Sequence, residues 1–215
     1  DRASRPPGYN GTVIRTLIFD LGRVIVPFDF RRAYEAMSRR CGLPPEELRA
    51  RLAADGLVRA FESGRMGAAD FHRRVQELLE TDVEIEEFKE IWFSIFLPET
   101  LISCDFLARL HVNYRLVLLS NTNPIHFEMI RARYPLLGHF DAFTLSYEVG
   151  AMKPDPEIYA AAVEAARCAP QECFFTDDIP EYVDAARRLG IDAVVFEGQP
   201  ALERELAARG VRWPQ

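Results

Sequence analysis

The sequence predicts an α/β fold: a Rossmann-like parallel sheet with helices on both faces, and an all-helical insertion placed after its first strand. Two patterns predict it. From position 113 onward, short apolar strand-like runs alternate with helical segments, and alternation at that spacing calls for parallel strands joined by helical crossovers. Between positions 30 and 112, by contrast, almost nothing reads as a strand. A chain of 215 residues is long enough for one full core and a modest insertion. The expected boundaries are a loose polar leader over 1–11, a core over 12–29 and 113–215, and a mainly helical insertion over 30–112. The returning helix over about 98–112 can belong to the core.

The elements follow in order. The run 12–20, TVIRTLIFD, ends in near-continuous apolar and β-branched residues, as a strand buried on both faces should. Pro27 and Asp29 break the pattern, and Asp29 can cap a helix FRRAYEAMSRRC that Gly42 ends. LPPEELRARLAAD starts another helix, with proline tolerated in its first turn. In GAADFHRRVQELLE, Phe71, Val75, Leu78 and Leu79 share one face, and in EIEEFKEIWFSIF so do Phe88, Ile91, Trp92 and Ile95. PETLISCDFLARLHV reads as the returning helix. Strands are then expected at YRLVLLS, 142–146, CFFTD and DAVVFEG, with helices over 124–134, 156–168, 179–189 and 200–209.

Composition narrows the function classes. The net charge of −7 repels nucleic acid and anionic membrane surfaces, so neither is an expected partner. No stretch approaches the ~20 apolar residues of a membrane span, and the first residues carry no apolar signal region. Cys41, Cys104, Cys168 and Cys173 form no CxxC pair, so buried thiols in a reducing cytosol are the expectation. His72, His111, His126 and His139 are scattered, which argues against a zinc site. Nothing in the sequence calls for an oligomer, and a monomer is the default expectation.

In an open α/β sheet, ligands bind beyond the carboxyl ends of the strands. Asp20 ends the first strand, Ser120-Asn121-Thr122 the second, and Asp177-Asp178 the fourth, while Lys153 follows the third in a turn shaped by Gly150 and Pro154. Each has an ordinary use taken alone. An aspartate after a strand commonly caps a turn, Asn123-Pro124 looks like a helix start, and a single lysine is usually solvated. Their convergence on one edge is what points to phosphate and metal chemistry.

In order and spacing, FDLGRVIV, LLSNTN, the KPDPEIY segment and FFTDDIPEYVDAARRLG resemble the four motifs of the haloacid dehalogenase (HAD) superfamily. The insertion looks like that family's C1-type cap, and the resemblance spans about 17–196. It implies that Asp20 is a nucleophile forming an aspartyl-phosphate. It implies that Ser120 and the amide of Asn121 hold phosphoryl oxygens, and that Lys153 offsets charge on both. Asp20, the carbonyl of Gly22, and Asp178 with Asp177 would hold Mg²⁺, Asp178 being the expected direct ligand. The implied substrate is a small phosphorylated molecule. The chemistry is consistent with the residue types, because a carboxylate attacking a phosphate dianion needs cations to neutralise the pair.

One position departs from the pattern. Most HAD phosphatases carry a second aspartate two residues after the nucleophile, and here that position is Gly22, which puts roughly 10²–10⁴-fold of acid–base catalysis in question. The sequence is similar to a branch with FDLGN- or FDLGG-type first motifs, which includes α-D-glucose-1-phosphate phosphatases, so a sugar phosphate is the expected substrate. Two alternatives stand beside it. A 2-haloacid dehalogenase also lacks the second aspartate but works without metal, and Asp177-Asp178 would then face a carboxylate substrate uncompensated. A phospho-ligand-binding protein with little turnover is the other. Arg23, beside the nucleophile, can grip substrate or lean outward. In the cap, the stretch 61–65 reads as an inward loop in which Arg65 meets substrate, or as a plain interhelical turn. Phe28 and Phe30 can line the entrance.

Overall fold

The computed structural model describes residues 11–214. Five parallel strands form one sheet in the order β3-β2-β1-β4-β5. They are β1 (Thr16–Phe19), β2 (Arg115–Ser120), β3 (Ala142–Leu145), β4 (Cys173–Asp177) and β5 (Asp192–Val195). The central strand β1 pairs on both sides, Leu17 facing Leu116 of β2 and Phe174 of β4. The expected leader lies outside the described residues except for Gly11. The first strand starts at Thr16 rather than Thr12, although the amide of Arg15 still bonds the Glu172 carbonyl at 2.8 Å.

Side chains alternate across the pleat and build two cores. Leu17, Phe19, Leu116, Leu118 and Phe174 face one side, where α6 (Cys104–His111), α7 (Pro124–Arg133) and α11 (Gln199–Ala208) pack. Ile18, Val117, Leu119 and Phe175 face the other, against α9 (Pro156–Ala166) and α10 (Pro180–Arg188). Burial on both faces explains why these strands read as unbroken apolar runs.

The insertion forms α1 (Arg31–Cys41), α2 (Pro45–Ala54), α3 (Leu57–Glu62), α4 (Ala68–Leu79) and α5 (Ile85–Phe93), packed around a third core. Its centre is aromatic: the rings of Phe61 and Phe71 stack at 4.2 Å, and Phe71 meets Trp92 edge-on at 5.0 Å. The Phe71/Val75/Leu79 and Phe88/Ile91/Trp92 faces both point into it, while Leu78 is only partly buried and Ile95 lies beyond the end of its helix. Asp29 accepts a hydrogen bond from the Arg31 amide at 3.0 Å, so it does hold the first free donor of α1.

Three local expectations are corrected. The returning helix begins at Cys104, capped by Ser103, not at Pro98. Residues before it instead bond the outgoing linker, with the amides of Leu97 and Leu101 donating to the carbonyls of Pro27 and Ile25. The two linkers of the insertion therefore run side by side. Second, 57–62 is helical. Six residues give only the Leu57/Phe61 pair, too few to reveal a period. One helical turn, α8 (Ser146–Val149), also follows β3. Third, only Cys173 among the cysteines is buried. Cys104 is exposed, with its sulfur 3.3 Å from His139.

The insertion is docked on the sheet by close contacts. At Gly64 (φ +71°) a Cβ would lie 2.2 Å from the carbonyl oxygen of Tyr147, so only glycine permits this approach. Buried His126 of α7 lies 2.9 Å from the Trp92 carbonyl through Nε2 and 3.0 Å from the Asn123 side-chain nitrogen through Nδ1. Among the described residues no helix is long and apolar enough to cross a membrane.

Candidate active site

Each strand that contributes to the site stops where a polar residue takes over. Asp20 follows β1 directly, and its amide donates to the Thr176 carbonyl at 3.0 Å, which ties it to β4. Ser120 closes β2, and Asp177 closes β4 with Asp178 next in the chain. Lys153 comes from the turn after α8, and the Asn121 side chain clips it there. Asn121 Oδ1 accepts from the Lys153 amide at 2.8 Å, and its Nδ2 donates to the Lys153 carbonyl at 3.0 Å.

The ammonium of Lys153 then reaches three oxygens. It donates to Asp20 Oδ1 at 2.6 Å, Asp177 Oδ2 at 2.5 Å and the Leu119 carbonyl at 3.2 Å. The Tyr182 ring lies 5.2 Å away. Lys153, Asp20 and Asp177 are all buried. The other oxygen of Asp177 accepts the Ile179 amide at 2.9 Å, so both its oxygens are engaged. Asp178 is half-buried, and among the described residues its carboxyl group is bonded by its own backbone amide and by no lysine. Carboxylate oxygens of Asp20, Asp177 and Asp178 lie within 4.8 Å of one another.

Charge dictates what this arrangement can hold. Three carboxylates against one ammonium leave an excess of two negative charges in a largely buried place. Burial, opposed by Lys153 and reinforced by Asp177, pushes Asp20 up to about 7. Burial and Asp177 likewise raise Asp178, against Arg23 and Lys153. Burial alone would lower Lys153, but Asp20 and Asp177 outweigh it and keep it charged. Oxygen-only donors with an uncompensated double charge fit a hard divalent cation. The Gly22 carbonyl fits the same set, since the turn over 21–26 closes through Leu21 and Val26 carbonyls and leaves it unused.

The remaining candidates divide. No described group hydrogen-bonds the buried Ser120 hydroxyl, and the Asn121 side chain is committed to Lys153, leaving its amide for a ligand. Arg23 is exposed, in the left-handed conformation (φ 57°), with its guanidinium 4.8 Å above the Phe28 ring and no ion pair to Asp20. Arg65 is exposed and donates to the Ser63 hydroxyl at 2.9 Å. The residue of its stretch that faces a cavity is Glu62.

Two features escaped the sequence. A Cβ at Gly22 would lie 2.7 Å from Phe28 Cε1, so the ring occupies the space where an acid side chain would start. No local signal carries this, because Phe28 is six positions away around a turn. Ser146 is the other. It follows β3 by the same strand-end rule that exposed its neighbours, and its hydroxyl accepts the Thr122 amide at 2.9 Å.

Comparison with known proteins agrees with this geometry. The haloacid dehalogenase-like hydrolase family matches residues 14–190. A D-ribitol-5-phosphate phosphatase of Bacteroides thetaiotaomicron is 29% identical over 201 residues, covering 90% of this chain and 97% of that protein. A HAD family enzyme from the same organism, crystallised with magnesium and inorganic phosphate, superposes with a TM-score of 0.78 at 30% identity, covering 85% of this chain and 93% of its own. The L-2-haloacid dehalogenase PA0810 shares the fold at 20% identity, with a TM-score of 0.67 over 91% of this chain and 99% of its own. The chain belongs to the haloacid dehalogenase-like hydrolase family.

Proposed function

We propose that this hydrolase is a Mg²⁺-dependent phosphatase acting on a small phosphate monoester, a sugar or polyol phosphate, through an aspartyl-phosphate on Asp20. The observation that carries the reading is the Lys153 ammonium set between Asp20 and Asp177, with Asp178 beside them. A halide displacement has no use for three clustered carboxylates, whereas phosphoryl transfer needs the cation they would hold. The relatives named above, one a polyol-phosphate phosphatase and one crystallised with magnesium and phosphate, support the same choice.

In this reading Asp20 supplies the attacking oxygen. Lys153 holds that carboxylate in place and offsets its charge as the phosphoryl group approaches. The Ser120 hydroxyl and Asn121 amide take phosphoryl oxygens at the head of α7, and Arg23 and Arg65 are the outlying cations available to a substrate. Asp20, Asp178 and the Gly22 carbonyl would ligate Mg²⁺, with Asp177 holding Lys153 behind them; the ion, when bound, neutralises charge shared by nucleophile and phosphate. The leaving oxygen departs without an acid at position 22, so reactive leaving groups should be favoured. Phosphate release from sugar, polyol and p-nitrophenyl phosphates, with Mg²⁺ and with excess EDTA, tests this. Full activity in EDTA, or none with Mg²⁺ on any ester, defeats it.

A further inference from the structure

Between the cap helices and the core lies a cavity of about 410 Å³, within the range of small-molecule sites. Its walls are mainly apolar and aromatic: Phe30, Tyr34, Leu52, Trp92, Ile95 and Met152 all face it. Met152 immediately precedes Lys153, so the cavity adjoins the segment that delivers the ammonium to Asp20. Into this setting α3 delivers one carboxyl group, that of Glu62.

Glu62 is half-buried at the cavity wall, and no described residue hydrogen-bonds or ion-pairs with its carboxyl group. Tyr34, Arg49, Arg59 and His126 are the other titratable groups on the wall, and none of them hydrogen-bonds or ion-pairs with it. Burial without a partner pushes it up to about 7. A carboxyl group held partly away from water without a partner costs stability, and a hydroxyl entering the cavity would supply that partner. Its position is also fixed. The Ser146 hydroxyl lies 2.6 Å from the Glu62 carbonyl and receives the Thr122 amide, and Gly64 presses on Tyr147 two residues later. One hydroxyl thus ties the end of α3 to the turn carrying Ser120 and Asn121.

We propose that Glu62 is a specificity-determining residue: it bonds hydroxyl groups on the non-phosphate part of the substrate, whose C–H faces pack on Trp92 and Tyr34. The inference rests on the phosphatase reading and says which part of the molecule the cap reads. A site built to bond hydroxyls discriminates strongly against molecules lacking them, because the polar group is then left unpaired. An aromatic cavity holding one carboxyl group is suited to a polyol or sugar, which presents both kinds of surface.

The test compares Glu62→Leu and Glu62→Gln with wild type on glucose 1-phosphate, sorbitol 6-phosphate and p-nitrophenyl phosphate. Calorimetric binding of the same three esters to the Asp20→Asn protein, with and without each Glu62 change, gives a readout free of turnover. Glu62→Leu should lower kcat/KM and affinity for the hydroxylated esters by about 100-fold or more. Values for p-nitrophenyl phosphate should stay within about threefold. Glu62→Gln should retain more than Glu62→Leu, and both should melt at or above the wild-type temperature. Parallel loss on all three esters, no loss on any, or failure of the hydroxylated esters to bind the Glu62-containing protein overturns the proposal. Were Glu62→Leu not to fold, Glu62→Ala, which also removes the carboxyl group, would decide by the same selectivity. Binding without cleavage by wild type would defeat the phosphatase reading while the affinities still decided the role of Glu62.

Discussion

The Lys153 ammonium lies 2.6 Å from an Asp20 carboxylate oxygen, across 133 positions of sequence, with both groups buried. A buried pair is a weak source of net stability, but removing one partner strands the other. Lys153→Met should therefore lower unfolding free energy by about 3–5 kcal/mol and abolish phosphate release. Denaturant melts read the first, and a phosphate assay the second. A Lys153→Met protein as stable as wild type would mean the carboxylates are relieved in some other way.

Asp20→Asn keeps the side-chain shape and removes the charge that the proposed mechanism uses for attack. Phosphate release should fall by on the order of 10³-fold or more, with the circular dichroism spectrum unchanged. Turnover of a few per cent would transfer the nucleophile role elsewhere.

Gly22 is hemmed in by the Phe28 ring, which also packs against Phe30 at 5.1 Å and Phe96 at 6.2 Å. Gly22→Asp alone should displace that ring, cost about 1–3 kcal/mol and add no rate. Gly22→Asp with Phe28→Ala should raise kcat on alkyl phosphates above that of Gly22→Asp. Melting curves and initial rates on propyl phosphate check both halves. A well-packed, faster Gly22→Asp would refute the packing account.

His126 gives a pH signature. Burial, partly opposed by the Trp92 carbonyl, lowers it from 6.5 to about 4. Between these values the unfolded chain takes up a proton that the folded one refuses. Stability is thus full above pH 6.5 and is lost as pH falls towards 4, by about 3 kcal/mol. His126→Gln can donate to the Trp92 carbonyl and accept from Asn123 without titrating, so the fall in stability across that window should be shallower. Urea melts at pH 4.5 and 7 measure the difference between the two proteins.

The legible parts of the molecule were those governed by short-range rules. Strands buried on both faces must be apolar throughout, so β1, β2 and β4 announced themselves. Amphipathic spacing exposed α4 and α5, and Asn123-Pro124 marked the head of α7, where Asn123 does accept the His126 amide at 3.0 Å. The strand-end rule then brought Asp20, Ser120, Lys153, Asp177 and Asp178 into view, because topology alone fixes which edge they share. Helix α3 stayed hidden because two apolar residues make no period.

Sequence by itself thus determined the fold class, the edge of the sheet where these polar side chains gather and the residue types found there. Tertiary structure decided which oxygen each charge touches. It spent the Asn121 side chain on Lys153, filled the space beside Gly22 with Phe28, left Arg65 on the surface and turned Glu62 into a cavity. The physical reason is that strand ends and helix faces are set by neighbours a few residues apart. Contacts such as Ser146 with Glu62 depend on two separately folded layers meeting, and no local pattern records that meeting.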